Sequence, residues 1–190
     1  MKHLPNILSI LRIVISPIFF LLLISQSPKL ICFAFPVFII GALTDYFDGW
    51  FARRMKQITG FGKFFDPLAD KILTGAAFLA FVVLSIIPLW MALIIIFRDV
   101  LTTAMRFIPS SNSSTISTSY IAKVKTTIQM IFIILVLAAI SLVNCPMLGI
   151  NPNNVASFIY SDFIYYSMLS IVLLTLWTLV DYFRQYGRHK

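Results

Sequence analysis

Six apolar stretches, at roughly 7–25, 30–52, 66–87, 89–108, 120–143 and 160–182, leave this chain of 190 residues little room for anything but membrane-spanning helices. Each approaches the ~20 residues that carry a helix across a bilayer. Hydrophobic residues make up 59% of the sequence and charged ones 12%, with a mean hydropathy of +0.93, which excludes a soluble globular domain. Residues 1–190 therefore read as one membrane domain.

One boundary is ambiguous. Residues 72–97 are almost wholly apolar and could form a single long helix, or Pro88 could mark a tight turn between two. Basic residues decide it, because they collect on the cytoplasmic side of a membrane protein. With a turn at Pro88, every Lys and Arg except Lys29 falls on the side of the N-terminus, 14 against 1; with a single span the tally is 7 against 8. The sequence thus predicts an all-α, polytopic membrane protein with six transmembrane helices, an N-terminal interfacial segment and both termini cytoplasmic. The start, Lys2-His3 and an apolar run, superficially resembles a signal peptide. Arg12 interrupts that run and Pro28 follows the small-residue candidate Ser25-Gln26-Ser27, so an uncleaved first span is expected. The formal charge of +8 suits span orientation and anionic lipid; basic residues dispersed among helix ends do not make a nucleic-acid-binding face. Cys32 and Cys145 have no metal-ligand spacing. The topology puts both near the outer face, where a disulfide is conceivable, but buried free thiols are the preferred reading.

Against this background the acidic residues stand out. There is no glutamate, and four of the seven aspartates, Asp45, Asp48, Asp66 and Asp70, fall within one 26-residue stretch. An aspartate at membrane depth costs about 2.5–3.5 kcal/mol even on the lenient insertion scale, so such a cluster points to function. Asp45 and Asp48 are spaced i,i+3 and Asp66 and Asp70 i,i+4, which puts each pair on one helical face. Facing carboxylates repel in a poorly solvated site, and a divalent cation with hard oxygen ligands relieves that. With the turn at Pro88, the inner ends of neighbouring spans carry Asp66, Asp70, Lys71, Arg98, Asp99 and Arg106 in the cytoplasmic half of the membrane. Lipid-facing charges there are costly, so a shared polar cavity is expected. Gly60 and Gly62 are expected to break the chain between the two halves of the acidic cluster.

The stretch from Asp45 to Asp70 follows the pattern D-x2-D-G-x2-A-R-x8-G-x3-D-x3-D without exception. It resembles the signature of the CDP-alcohol phosphatidyltransferases. Pro5–Arg12, Asp66–Lys71 and Ala122–Met130 are similar to segments of the bacterial phosphatidylglycerophosphate synthases within that family, while the last 50 residues add little. The resemblance implies transfer of a phosphatidyl group from CDP-diacylglycerol to an alcohol, with release of CMP. It also implies two Mg2+ (or Mn2+) ions per site. Asp45, Asp48 and Asp66 would hold one metal and Asp45, Asp66 and Asp70 the second, with Asp70 also the general base on the acceptor hydroxyl. CDP-diacylglycerol would meet Asn6, Ser9, Arg12, Gly49, Arg53 and Thr59. Arg98, Arg106, Lys123 and Lys125 would receive the phosphate of the acceptor, sn-glycerol 3-phosphate, with Arg106 and Lys123 as the direct ligands. A homodimer in the cytoplasmic (inner) membrane, with a cytoplasm-facing active site and membrane lipid around it, is implied on the same ground.

Plainer readings stand beside these. Asp66-Pro67 could be an N-cap followed by proline at the first helical position. Asn6 and Ser9 could be helix-start polar groups. Arg98-Asp99 could be a structural ion pair, and Lys123 and Lys125, two residues apart, do not share a helical face. Two positions depart from the expected synthase pattern: Arg98-Asp99 stands for Arg-Glu, and Ala122 for glycine. They bear on acceptor identity, for which inositol phosphate or serine are alternatives. A cation transporter using the aspartates is the alternative from another class, disfavoured because no internal repeat is visible and all four carboxylates sit at one membrane face.

Overall fold

The computed structural model describes the backbone of residues 4–55, 60–105, 120–145 and 152–188, and the side chains of 10–44, 69, 71–105, 121, 123–145 and 152–184. All regular structure among the described residues is helical: α1 (Leu4–Leu23), α2 (Pro28–Met55), α3 (Gly60–Val83), α4 (Leu89–Met105), α5 (Tyr120–Asn144), α6 (Pro152–Ile159) and α7 (Asp162–Arg188). Six long helices match the six apolar stretches, and α1 runs unbroken from Leu4. α6 was not foreseen, because its eight residues are too short for the helical period to stand out.

Residues 84–88 separate α3 from α4, so this region is a hairpin and not one long helix. The turn is a Schellman motif: the Ile86 amide donates to the Phe81 carbonyl and the Ser85 amide to that of Val82, both at 2.9 Å. Ser85 takes the left-handed conformation that closes it (φ 57°), and Pro88 follows, just ahead of α4.

α1 packs against both α2 and α3; α4 lies on α3 and α7, and α5 touches α2, α3, α6 and α7. The shared core is built from Phe19, Phe38, Phe78, Phe81, Met91, Ile95, Ile133 and Leu137. Phe19 and Phe38 stack with ring centroids 5.2 Å apart. The outer faces are apolar too: Leu21, Phe33, Phe97, Ile131, Leu173 and Trp177 are each more than half exposed. A water-soluble bundle would not leave so much apolar surface uncovered; lipid is the medium that suits it. By length and composition, Lys123–Asn144 and Pro152–Arg184 are apolar enough to cross a bilayer, and Ile10–Leu23, Pro28–Thr44 and Lys71–Val83 are shorter apolar helices.

At the end of the bundle holding the turns at 24–27 and 84–88, Cys32 and Cys145 form a disulfide with Cα atoms 5.9 Å apart. This overturns the free-thiol reading. The start of α2 and the end of α5 pack at one level, so cysteines separated by 113 residues in sequence meet. The Tyr160 hydroxyl donates to the Leu84 carbonyl at 3.2 Å, tying the α6–α7 junction to the α3–α4 turn at the same end. Because the disulfide closes so long a loop, a Cys32→Ser/Cys145→Ser protein is expected to lose about 2–4 kcal/mol of stability. Its thermal midpoint should fall below that of the oxidised protein and match that of reduced wild type.

Candidate active site

Both acidic pairs lie on helices, Asp45 and Asp48 in the second half of α2 and Asp66 and Asp70 in the first half of α3. The i,i+3 and i,i+4 spacings therefore do place each pair on one helical face. α3 begins at Gly60, so Gly60 marks the break while Gly62 lies in the first helical turn. The same start removes the N-cap reading of Asp66, which stands well inside the helix. The carboxylate groups themselves lie outside the described side chains, as do those of Asn6, Ser9 and Arg53 and the surroundings of Gly49; Thr59 and Arg106 lie outside the described residues altogether.

α2 meets α3 and α1 at Gly41. A Cβ there would stand 3.0 Å from Leu73 Cδ2 and 3.4 Å from Ile15 Cγ2, so the missing side chain is what lets α2 approach α3 and α1 closely. Asp45 follows Gly41 by one turn, and Asp70 precedes Leu73 by one turn. The two helices run in opposite directions, so both steps lead toward the same end of the bundle. Asp45 and Asp70 thus occupy equivalent depths on touching helices. Four aspartates carried by two adjoining helices are the residue type that suits a hard divalent cation. Arg12 of α1 is fully buried in the same trio, and its carbonyl accepts the Ser16 hydroxyl at 2.8 Å.

A second polar cluster adjoins the first. Asp99 on α4 is 3% exposed, and its Oδ1 accepts from Lys125 Nζ of α5 at 2.7 Å and from Arg98 Nη1 at 3.1 Å. Arg98 Nη2 donates to Thr178 Oγ1 of α7 at 2.8 Å, so the cluster joins three helices. A small cavity of about 10 Å³ lies between Asp99 and Gln129 on one side and Lys71 and Thr74 of α3 on the other. Asp99 is therefore within about a turn of Asp70 along the bundle. Of the four expected phosphate-binding cations, Arg98 and Lys125 are brought together inside the protein, whereas Lys123 is exposed on α5. The inward-facing lysine of the pair is Lys125, and its buried ammonium is engaged by Asp99.

Asp99 and Thr178 were not singled out as site residues from sequence. Arg98-Asp99 read as a self-contained pair, while in the structure Asp99 also holds a lysine from another helix. Thr178 comes from the segment that added little to the resemblance. Its signal was chemical: Thr175 and Thr178 are polar residues spaced i,i+3 in an apolar span, and both are buried.

Comparison with known proteins identifies the family. The sequence model of the family described as CDP-alcohol phosphatidyltransferase matches residues 2–177. The chain belongs to the CDP-alcohol phosphatidyltransferase family. A Bacillus subtilis (strain 168) protein named CDP-diacylglycerol–glycerol-3-phosphate 3-phosphatidyltransferase is 33% identical over 143 residues, covering 69% of this chain and 74% of the relative. One of the same name from Rickettsia typhi is 34% identical over 130 residues, 68% of this chain and 73% of the relative. A Mycobacterium tuberculosis protein named probable phosphatidylglycerophosphate synthase is 33% identical over 185 residues, 95% of this chain and 79% of the relative.

Proposed function

We propose that this protein transfers the phosphatidyl group of CDP-diacylglycerol to sn-glycerol 3-phosphate, giving phosphatidylglycerol phosphate and CMP. The observation that carries this is the meeting of two motif-bearing helices at Gly41 and Leu73, next to a buried cation cluster. The names of the relatives supply the acceptor.

In this reading the acceptor hydroxyl attacks the phosphorus joined to diacylglycerol. A new O–P bond forms, the P–O bond to CMP breaks, and the hydroxyl proton passes to the Asp70 carboxylate. Asp45, Asp48, Asp66 and Asp70 would hold two divalent cations, Mg2+ or Mn2+, which would supply charge stabilisation to the transferring phosphoryl group. Arg53 and Thr59 bind the diphosphate, Gly49 leaves room for the nucleotide, and Asn6, Ser9 and Arg12 line its approach. Arg98 and Lys125, with Arg106, receive the acceptor's phosphate.

The six long helices span the cytoplasmic membrane with both termini inside, and the protein works as a homodimer. The disulfide supports this orientation, because disulfides persist in oxidising compartments and this one sits at the end of the bundle away from the aspartates. Two apolar grooves support lateral lipid access. One, of about 350 Å³, runs between α5 and α7 from Lys125 to Phe163; the other, of about 430 Å³, lies among α1, α3 and α4 beside Lys71. Each holds hydrocarbon while its inner end stands level with the charged cluster.

CMP release from CDP-diacylglycerol, measured with each candidate acceptor in turn, tests the assignment. Glycerol 3-phosphate is expected to raise the rate well above that with serine or inositol phosphate. Strong stimulation by one of those two, with none by glycerol 3-phosphate, rejects the acceptor and leaves the family chemistry standing.

A further inference from the structure

The cluster around Asp99 holds two cations against one carboxylate. Arg98, Asp99 and Lys125 are all buried, and Asp99 Oδ1 serves both partners. Charges taken out of solvent in a membrane protein are costly, and a hydrocarbon contact of similar size would join α4, α5 and α7 at lower cost. The cluster is also incompletely satisfied. Arg98 Nε is buried with no hydrogen-bond partner among the described residues, although its Nη1 and Nη2 are held by Asp99 and Thr178. A guanidinium fixed at two nitrogens with its third donor unused, beside a lysine fixed by the same carboxylate, is one anion short.

From this we infer that Asp99, with Thr178, is a positioning residue: it holds Arg98 and Lys125 in fixed orientation to receive the phosphate of the acceptor, and so governs acceptor binding and not donor binding. The inference rests on the function proposed above. The carboxylate restrains two long side chains that would otherwise lose rotamer freedom on each binding event, so the phosphate meets a preformed pair of donors. Thr178 gives α7 a part in the site, since its hydroxyl accepts from Nη2 of Arg98, which Asp99 does not hold. Asp99 touches neither substrate nor reacting atoms in this account and acts through the two cations.

The test uses the purified full-length protein in lipid nanodiscs, with initial rates of CMP release measured while each substrate is varied. Asp99→Asn keeps the shape and removes the charge. It is expected to raise KM for glycerol 3-phosphate by ~10-fold or more while KM for CDP-diacylglycerol stays within ~2-fold. Asp99→Glu, which restores the charge, should recover most of the acceptor KM. A purely structural role predicts equal losses for both substrates, and that result, or an unmoved acceptor KM, overturns the inference. Should Asp99→Asn not fold, Thr178→Val decides: it keeps every charge and nearly the same volume, and is expected to raise the acceptor KM by ~3-fold with the donor KM unchanged. An unchanged acceptor KM there overturns the inference as well. Wild-type protein is assayed in parallel. No dependence on glycerol 3-phosphate in wild type rejects the proposed function and this inference with it, whereas wild-type dependence with an unmoved variant KM rejects the role of Asp99 and Thr178 alone.

Discussion

Asp70→Asn is expected to turn over CDP-diacylglycerol ~10²–10⁴-fold more slowly than wild type, the loss that follows removal of a general base. The substitution keeps the side chain's size and removes its ability to take a proton. Asp70 stands on α3 one turn from Leu73, the residue that meets Gly41 of α2. The effect should fall on kcat, with KM for CDP-diacylglycerol changed much less. Raising the metal concentration separates the two roles assigned to Asp70. A variant that had lost only a metal ligand regains rate as Mg2+ is raised; one that has lost its base does not. Full recovery at high Mg2+ would move the base to another residue.

Removal of divalent cations is expected to stop CMP release altogether, and Mg2+ or Mn2+ to restore it. The reason is electrostatic. Four carboxylates converging beside a diphosphate, as the proposed function requires, would repel one another and it without cations between them. Lys125 and Arg98 do not substitute, since both are engaged by Asp99. Steady-state rates after dialysis against EDTA, and again after back-titration with each metal, measure the effect. An undiminished rate in EDTA contradicts the assigned role of the aspartates.

Much of this architecture was legible in the sequence because membranes simplify the physics. The asymmetry of Lys and Arg, with Pro88, was enough to turn one apolar run into the hairpin of α3 and α4, and the aspartate spacings were enough to place each pair on a helical face. The start of α3 was less legible. The apolar stretch begins near Asp66, but the helix extends back to Gly60, as backbone approaching a membrane satisfies its hydrogen bonds within the helix where it can. Long-range pairings were not legible. Cys145 meets Cys32, and Thr178 meets Arg98, because helices distant in sequence pack side by side; no local pattern announces either. The second partner of Asp99 was hidden for the same reason. Lys123 and Lys125 were known to point apart, but only the packing of α5 against its neighbours determines which one faces inward.

The central claim is that Asp45, Asp48, Asp66 and Asp70 together grip cations where α2 and α3 meet. Anomalous scattering from crystals grown with Mn2+ and CDP-diacylglycerol measures this most directly. The account predicts manganese peaks between α2 and α3, within ~2–2.6 Å of carboxylate oxygens from both pairs and beside the diphosphate. Manganese bound by one pair alone, or found only elsewhere, as at Asp99, would contradict it.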